Sequence, residues 1–161
     1  MNTPLFAASP ALPLQCLEAE KTVPVQAVPC ANVSLHELVS GLVLSLLPLT
    51  IRRHSLVLNE ISRDLRVGAD ENMLACVLWS LINGAIQSTQ NECIHIEAIT
   101  VGDRLMVLIK DVGTYFYHII SREYRQVQHV AEKLGGSIGI ENGKEYGTNA
   151  AFYFSNSLVA A

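Results

Sequence analysis

The residues with the most reactive side chains are dispersed along this sequence rather than grouped. Its four cysteines contain no C-x-x-C pair, a pattern that predicts reduced thiols and no structural zinc site. Its five histidines include no i, i+4 pair that could hold a metal on one helix face. No serine-hydrolase or cysteine-nucleophile motif is present. We therefore expect no bound metal and no nucleophilic catalytic residue.

One short segment is a candidate for binding. It follows Asp111-Val112-Gly113, which ends a β-rich run and whose aspartate can close a turn. Tyr115-Phe116-Tyr117 opens a helical pattern, and aromatic residues are enriched in interface cores. The aromatic run therefore predicts either a docking point for a protein partner or internal packing.

The composition excludes several functional classes. With 161 residues, 50% of them hydrophobic and 16% charged, the chain can bury the core of one domain. A net charge of −4 leaves no excess of cations for phosphate backbones, so nucleic acid is not an expected partner. The most apolar stretch, Leu38–Ile51, is shorter than the roughly 20 residues of a membrane span and contains Pro48, which favours a buried amphipathic helix. Since no signal-peptide pattern opens the chain, we expect a cytoplasmic protein without membrane contact.

Proline divides the sequence into a lead-in and a regular domain. Residues 1–32 hold five of the six prolines, which exclude a long helix there and predict an arm. Periodic patterns extend over residues 33–156, which we expect to form the folded domain. Residues 157–161 are a short C-terminal tail.

Hydrophobic periodicity predicts an α+β fold. Ser34 and Glu37 form a capping box ahead of one helix, and Asp70 is the expected N-cap of another. Gly102-Asp103 joins two β-rich runs as a hairpin, and Gly135-Gly136 ends a third helix. The predicted order is a helix from Ser34, strand 55–61, a helix after Asp70, strands 93–100 and 104–110, helix 116–134, and strands 137–141 and 149–154. This order implies a two-layer sandwich with helices on one face of a mixed, mostly antiparallel sheet.

Four phrases, in this order, resemble the ATP-binding domain of sensor histidine kinases in the GHKL superfamily, over about residues 33–156. They are GADENMLACVLWSLINGAIQST, LMVLIKDVG, VAEKLGGSIGIENG and GTNAAFYF. In that family they correspond to the asparagine-box helix, the first glycine box, the segment after the lid and the closing strand. The resemblance implies a Bergerat-type sandwich and, in an intact member, ATP and Mg²⁺ as cofactors.

At the adenine end, the resemblance implies a partly retained site. Asp111 matches the aspartate that receives the adenine amino group. Gly113 matches the glycine that lets the base approach closely, and Thr148 matches a threonine near the base. A protein that kept only this end could still recognise an adenine ring.

At the phosphate end, the same resemblance implies a lost site. The family places two asparagines four residues apart to hold Mg²⁺, and Ser80 and Gly84 stand at those positions here. Asn83 lies one residue off, rotated by about 100° around the helix. Tyr115 replaces the second glycine of the first glycine box, residues 119–123 contain no glycine cradle, and the lid segment is shortened.

These departures predict a degenerate, non-catalytic domain that regulates bacterial two-component signal transduction. Its expected partner is a response regulator, a sensor kinase or a second copy of itself. One alternative is a divergent ATP-binding protein kinase, of the histidine kinase or the anti-sigma serine kinase type. A second alternative is an adenine-nucleotide sensor that uses no metal. His36 beside Glu37 resembles a phosphoacceptor pair, but its helix is expected to belong to the sandwich.

Overall fold

The computed structural model describes residues 31–111, 116–142 and 147–156, with the side chains of residues 116–124 and 142 outside that description. Helices and strands follow one another through these ranges as an α+β fold, which confirms the predicted class. They are β1 (Ala31–Ser34), α1 (Leu35–Ser45), α2 (Leu47–Arg53), β2 (Leu56–Asn59), β3 (Arg66–Ala69), α3 (Glu71–Ser88), β4 (Cys93–Val101), β5 (Arg104–Asp111), α4 (Phe116–Lys133), β6 (Ser137–Asn142) and β7 (Thr148–Ser155).

The main sheet has five strands in the order β2-β4-β5-β7-β6. β2 and β4 are parallel and the other neighbours are antiparallel, which confirms the predicted mixed, mostly antiparallel sheet. Gly102 has a φ of +65° in the loop between β4 and β5, so the predicted hairpin turns at a glycine that tolerates this backbone. β7 is inserted between β5 and β6.

One face of this sheet carries the hydrophobic core. Every second side chain of β5 is buried, and Val107 lies opposite Phe152 across the neighbouring strands. The rings of Phe152 and Phe154 stack with their centroids 4.9 Å apart. α3 contacts α1, α2, α4 and β5, so it is the central helix of the layer above this face.

The central helix α3 begins and packs as the sequence predicted. The Asp70 carboxylate accepts a hydrogen bond from the Met73 N–H at 3.0 Å, which satisfies one free donor of the first turn. Burial is continuous from Leu81 to Ile86, so the C-terminal half of the helix is enclosed on all sides. The predicted inner face is buried in full: Leu74, Val77, Leu78, Leu81, Ile82 and Ala85.

The predicted capping box at the start of α1 is wrong in its hydrogen bonding. Ser34 is the N-cap, but its side chain makes no capping bond, and its buried hydroxyl oxygen has no hydrogen-bond partner among the described residues. The Leu35 N–H donates instead to the Leu65 carbonyl at 3.2 Å. The start of α1 is therefore held by the backbone of the segment before β3.

The two N-caps should respond differently to alanine. Asp70→Ala removes the bond to the Met73 N–H and is expected to lower the free energy of unfolding by about 1 kcal/mol. Ser34→Ala removes a buried hydroxyl without a partner, so it should leave stability unchanged or raise it slightly. Urea denaturation followed by circular dichroism compares the two variants, and equal losses would contradict these assignments.

The single buried helix predicted from Leu38–Ile51 is wrong in two respects. The chain forms two helices, α1 and α2, bent by 60° relative to each other, with Pro48 in the first turn of the second. Proline lacks the N–H donor and its ring clashes with the carbonyl one turn earlier, so the helix must restart there. The stretch is also only partly buried, because Leu44, Leu47 and Ile51 are exposed. Among the described helices, no single one is long and apolar enough to cross a membrane, and this bent pair meets that test only when taken together.

A second, two-stranded sheet was not predicted from the sequence. β1 and β3 pair antiparallel, and β1 begins at Ala31, ahead of the expected domain start. Asn156, which is 2% exposed, joins this sheet to the end of β7. Its side-chain oxygen accepts from the Gly68 N–H at 3.0 Å, and its side-chain amide donates to the Arg66 carbonyl at 3.3 Å.

The helix stop predicted at Gly135-Gly136 is confirmed, and it follows the end of α4. Gly135 has a φ of +68°, and its N–H donates to the Glu132 carbonyl at 2.9 Å. The Gly136 N–H donates to the Ala131 carbonyl, also at 2.9 Å. The chain then passes so close to β7 that a Cβ on Gly136 would collide with the Tyr153 carbonyl oxygen.

Candidate functional site

The two predicted adenine-end residues that the structure describes meet at one end of the main sheet. Asp111 is the last residue of β5 and Thr148 the first of β7, and they are direct partners in the antiparallel register. Their exposed fractions are 5% and 3%. Since a turn aspartate would be solvated, this burial favours a structural or binding role for the carboxylate.

A third residue, Ser88 of α3, completes this group and was missed by the sequence analysis. Its hydroxyl lies 3.3 Å from Asp111 Oδ2 and 2.9 Å from the Ala85 carbonyl oxygen. A hydroxyl has one hydrogen, so the two acceptors share it or compete for it. Ser88 stands one helical turn after Gly84, and extending the i, i+4 pattern by one step would have found it.

The two asparagine-box positions offer little to a cation. The Ser80 hydroxyl donates to the Cys76 carbonyl one turn earlier, at 2.9 Å. Gly84 is buried and has no side chain. Asn83 is 9% exposed, and its side-chain oxygen accepts from the Gln87 amide at 3.3 Å. The Asn83 side chain is therefore engaged along its own helix.

Four other predicted residues lie wholly or partly outside the described chain. Gly113 and Tyr115 fall in residues 112–115, which are not described. Phe116 and Tyr117 begin α4, but their side chains are outside the description. Their predicted roles, in base approach, partner docking or internal packing, stay predictions.

No metal centre adjoins these residues in the part of the chain described. No three histidine, cysteine, aspartate or glutamate side chains converge there as metal ligands. A cavity of about 450 Å³ lies between β1, α1 and the start of α3. Its walls include Ser34, Glu37, Arg66 and Glu71, and it is separate from the Asp111 group.

Comparisons with known proteins connect this architecture to solved structures. No protein-family model matches the chain, and no curated protein does. The histidine kinase AdeS of Acinetobacter baumannii is similar over 79% of this chain and 67% of its own, with a TM-score of 0.69 and 15% identity. The nucleotide-free catalytic domain of the histidine kinase ThkA is similar over 78% of this chain and 96% of its own, with a TM-score of 0.65 and 21% identity.

This chain has the fold of a histidine kinase catalytic domain. The agreement confirms the resemblance at the level of the sandwich. A structure of ThkA in complex with the response regulator TrrA is also similar, covering 79% of this chain and 42% of that one, with a TM-score of 0.67 and 21% identity. At such identities the similarity establishes the histidine kinase fold, and any chemistry must be argued from the side chains above.

Proposed function

We propose that this chain is a signalling module that keeps the histidine kinase fold, binds a protein partner and transfers no phosphate. The observation that carries the proposal is the polar content of α3. Ser80 supplies one hydroxyl that already donates to Cys76, and Gly84 supplies nothing. Mg²⁺ requires several oxygen ligands in near-octahedral geometry, so this helix is a poor cation site.

Loss of the cation would remove the main electrostatic assistance to phosphoryl transfer. Metal ions bridge the phosphate oxygens and neutralise the charge that develops during the reaction. Asn83 is a poor substitute for the missing amides, because its buried oxygen accepts from Gln87. Turning that oxygen towards the phosphate side would break this hydrogen bond and leave a buried polar group unpaired.

A protein partner is the role that remains for this fold without phosphate chemistry. A scaffold can present a binding surface whether or not its catalytic centre is intact. One similar structure, ThkA, is described in complex with a response regulator. We propose a response regulator as the partner of this chain, with a sensor kinase or a second copy of the chain as the alternatives.

Calorimetric titration of the full chain with ATP tests the loss of the metal site. With Mg²⁺ present we expect no more heat than with EDTA, because α3 offers no coordination shell for the cation. A titration with MgCl₂ alone is the control for cation binding unrelated to nucleotide. Micromolar ATP binding that vanishes in EDTA would contradict the proposal and restore the divergent kinase.

A metal-independent adenine sensor is the second candidate, and one observation favours it. Asp111, Ser88 and Thr148 lie together at the end of the sheet, and Asp111 and Thr148 are buried as a register pair. A buried carboxylate that receives an exocyclic amine gives strong discrimination between bases, because the wrong base leaves it unpaired. Such a sensor would bind the base and gain little from the phosphates.

The sensor reading predicts that adenosine and ATP bind with similar affinity. Asp111→Asn should weaken both by roughly tenfold, since it removes one charge-assisted hydrogen bond. The matched control is Asp64→Asn, which changes an exposed aspartate distant in sequence from Asp111 and should alter neither affinity. A strong preference for ATP over adenosine would count against the sensor, and thermal unfolding of each variant checks that the fold persists.

A further inference from the structure

The bend between α1 and α2 presents an apolar surface to solvent. We call it the α1–α2 surface and define it by Leu44, Leu47, Ile51, Arg52 and Arg53. The three apolar side chains are exposed by 68%, 46% and 64%. Single exposed apolar residues are common in proteins, but three on consecutive helices form a patch that marks interaction sites.

The α1–α2 surface is basic, although the protein as a whole is acidic. The segment from Leu38 to Asn59 contains no aspartate or glutamate, although the whole chain has a net charge of −4. Arg52 and Arg53 end α2 as its last turn. Within the described part of the chain, the ion pairs involve Glu60, Glu97 and Glu132, and neither arginine takes part in one.

We propose that the α1–α2 surface docks an amphipathic helix of a protein partner, with apolar residues on one face and carboxylates at the end of that face. Leu44, Leu47 and Ile51 would receive the apolar residues, because an amphipathic helix buries its apolar face against exposed hydrophobic residues of its partner. Arg52 and Arg53 would receive the carboxylates, and the planar guanidinium group suits bidentate pairing. The inference rests on the proposed protein-binding role and gives it a location and a partner chemistry.

Two other occupants fit these residues less well. A second copy docked through the same surface would offer the arginines no carboxylate, because the segment contains none. An anionic membrane would attract the two arginines, each by about 1 kcal/mol, but would repel the acidic remainder of the chain. A partner helix with its own carboxylates satisfies both the apolar and the basic residues.

Two labelled peptides test the proposal by fluorescence anisotropy with the full chain. Each is an alanine-rich helix of about 18 residues, long enough to fold in water, with leucines at i, i+3 and i+7. One ends its apolar face with three glutamates and the other with three lysines. We expect the glutamate peptide to bind at least about tenfold more tightly at low salt, with the preference falling as salt is added.

Variants on the surface locate the binding. Arg52→Glu with Arg53→Glu should reverse the preference between the two peptides, whereas Arg63→Glu with Arg104→Glu makes the same change in net charge elsewhere and should preserve it. Ile51→Ser should weaken the binding of the glutamate peptide by roughly tenfold. Val101→Ser, at an exposed apolar residue of β4, is its matched control and should have no effect.

Two peptide results would overturn the proposal: equal binding of both peptides, or an unchanged preference in the Arg52→Glu/Arg53→Glu variant. Two other results would assign the surface to another occupant and overturn it as well. One is a dimer that Ile51→Ser dissociates in sedimentation experiments, and the other is binding to phosphatidylserine vesicles that Ile51→Ser abolishes. The ATP titration does not involve this surface. If neither peptide binds, the proposed loss of the metal site is still valid. If ATP binds in a metal-dependent way, the peptide result is still valid.

Discussion

Replacing Gly136 with alanine is expected to remove a large share of the protein's stability. A Cβ at this position would overlap the Tyr153 carbonyl oxygen and lie 3.0 Å from the Phe154 Cβ. Both contacts belong to β7, whose backbone is fixed by strands on either side, so the clash cannot be relieved locally. We expect a loss of about 3 kcal/mol or more, against a total of roughly 5–15 kcal/mol for a typical domain.

Gly41→Ala is the matched control for this substitution. Gly41 lies inside α1, and nothing stands within 4 Å of the position its Cβ would take. Alanine should therefore raise the free energy of unfolding by about 0.5–1 kcal/mol, because it favours the helix without a clash. Urea denaturation measures both variants. A stable Gly136→Ala protein would show that Gly136 and β7 are further apart than described.

Phe152→Ala should have an effect of similar size for a different reason. Phe152 is fully buried at 0% exposure and stacks on Phe154, with the ring centroids 4.9 Å apart. Removing the ring leaves a cavity in the face that α3 covers, which costs about 3–5 kcal/mol for a phenylalanine. The midpoint of urea unfolding should fall accordingly, while the dependence on urea concentration stays the same.

Tyr153→Ala provides the control within the same strand. Tyr153 is the next residue of β7, so its side chain projects from the opposite face of the sheet, and it is 36% exposed. Its loss should cost about 1 kcal/mol or less. If the two variants were equally destabilised, the core would not lie on the face to which Phe152 is assigned.

The predictions from the sequence succeeded where local signals were clear, and they failed where a local signal was misread or a strand needed a partner distant in sequence. α3 was predictable because Asp70 and the buried face are local signals, and the structure bears them out. The predicted extent of α1 was wrong because Pro48 was taken as part of a continuing helix rather than as the start of a new one. β3 was missed because Arg66–Ala69 is only four residues long, contains a glycine and depends on a partner strand distant in sequence.

The candidate site shows the same division. That Asp111 and Thr148 meet depends on the register of β5 against β7, which no local pattern encodes. The resemblance placed both residues near the adenine base, and the structure adds that they lie opposite each other in neighbouring strands. Ser88 approaches Asp111 from a separate element across the core, so its role could emerge only from the packing of α3 on the sheet.

The insertion of β7 between β5 and β6 governs how the chain can fold while it is being synthesised. β6 is made first, yet among the described strands its only partner is β7. Until the ribosome has released β7, β6 has no place in the sheet and β5 keeps one edge unpaired, a state that invites aggregation. β2, β4 and β5 can pair in the order of their synthesis, whereas the β7–β6 side of the sheet closes only when nearly all of the described chain is available.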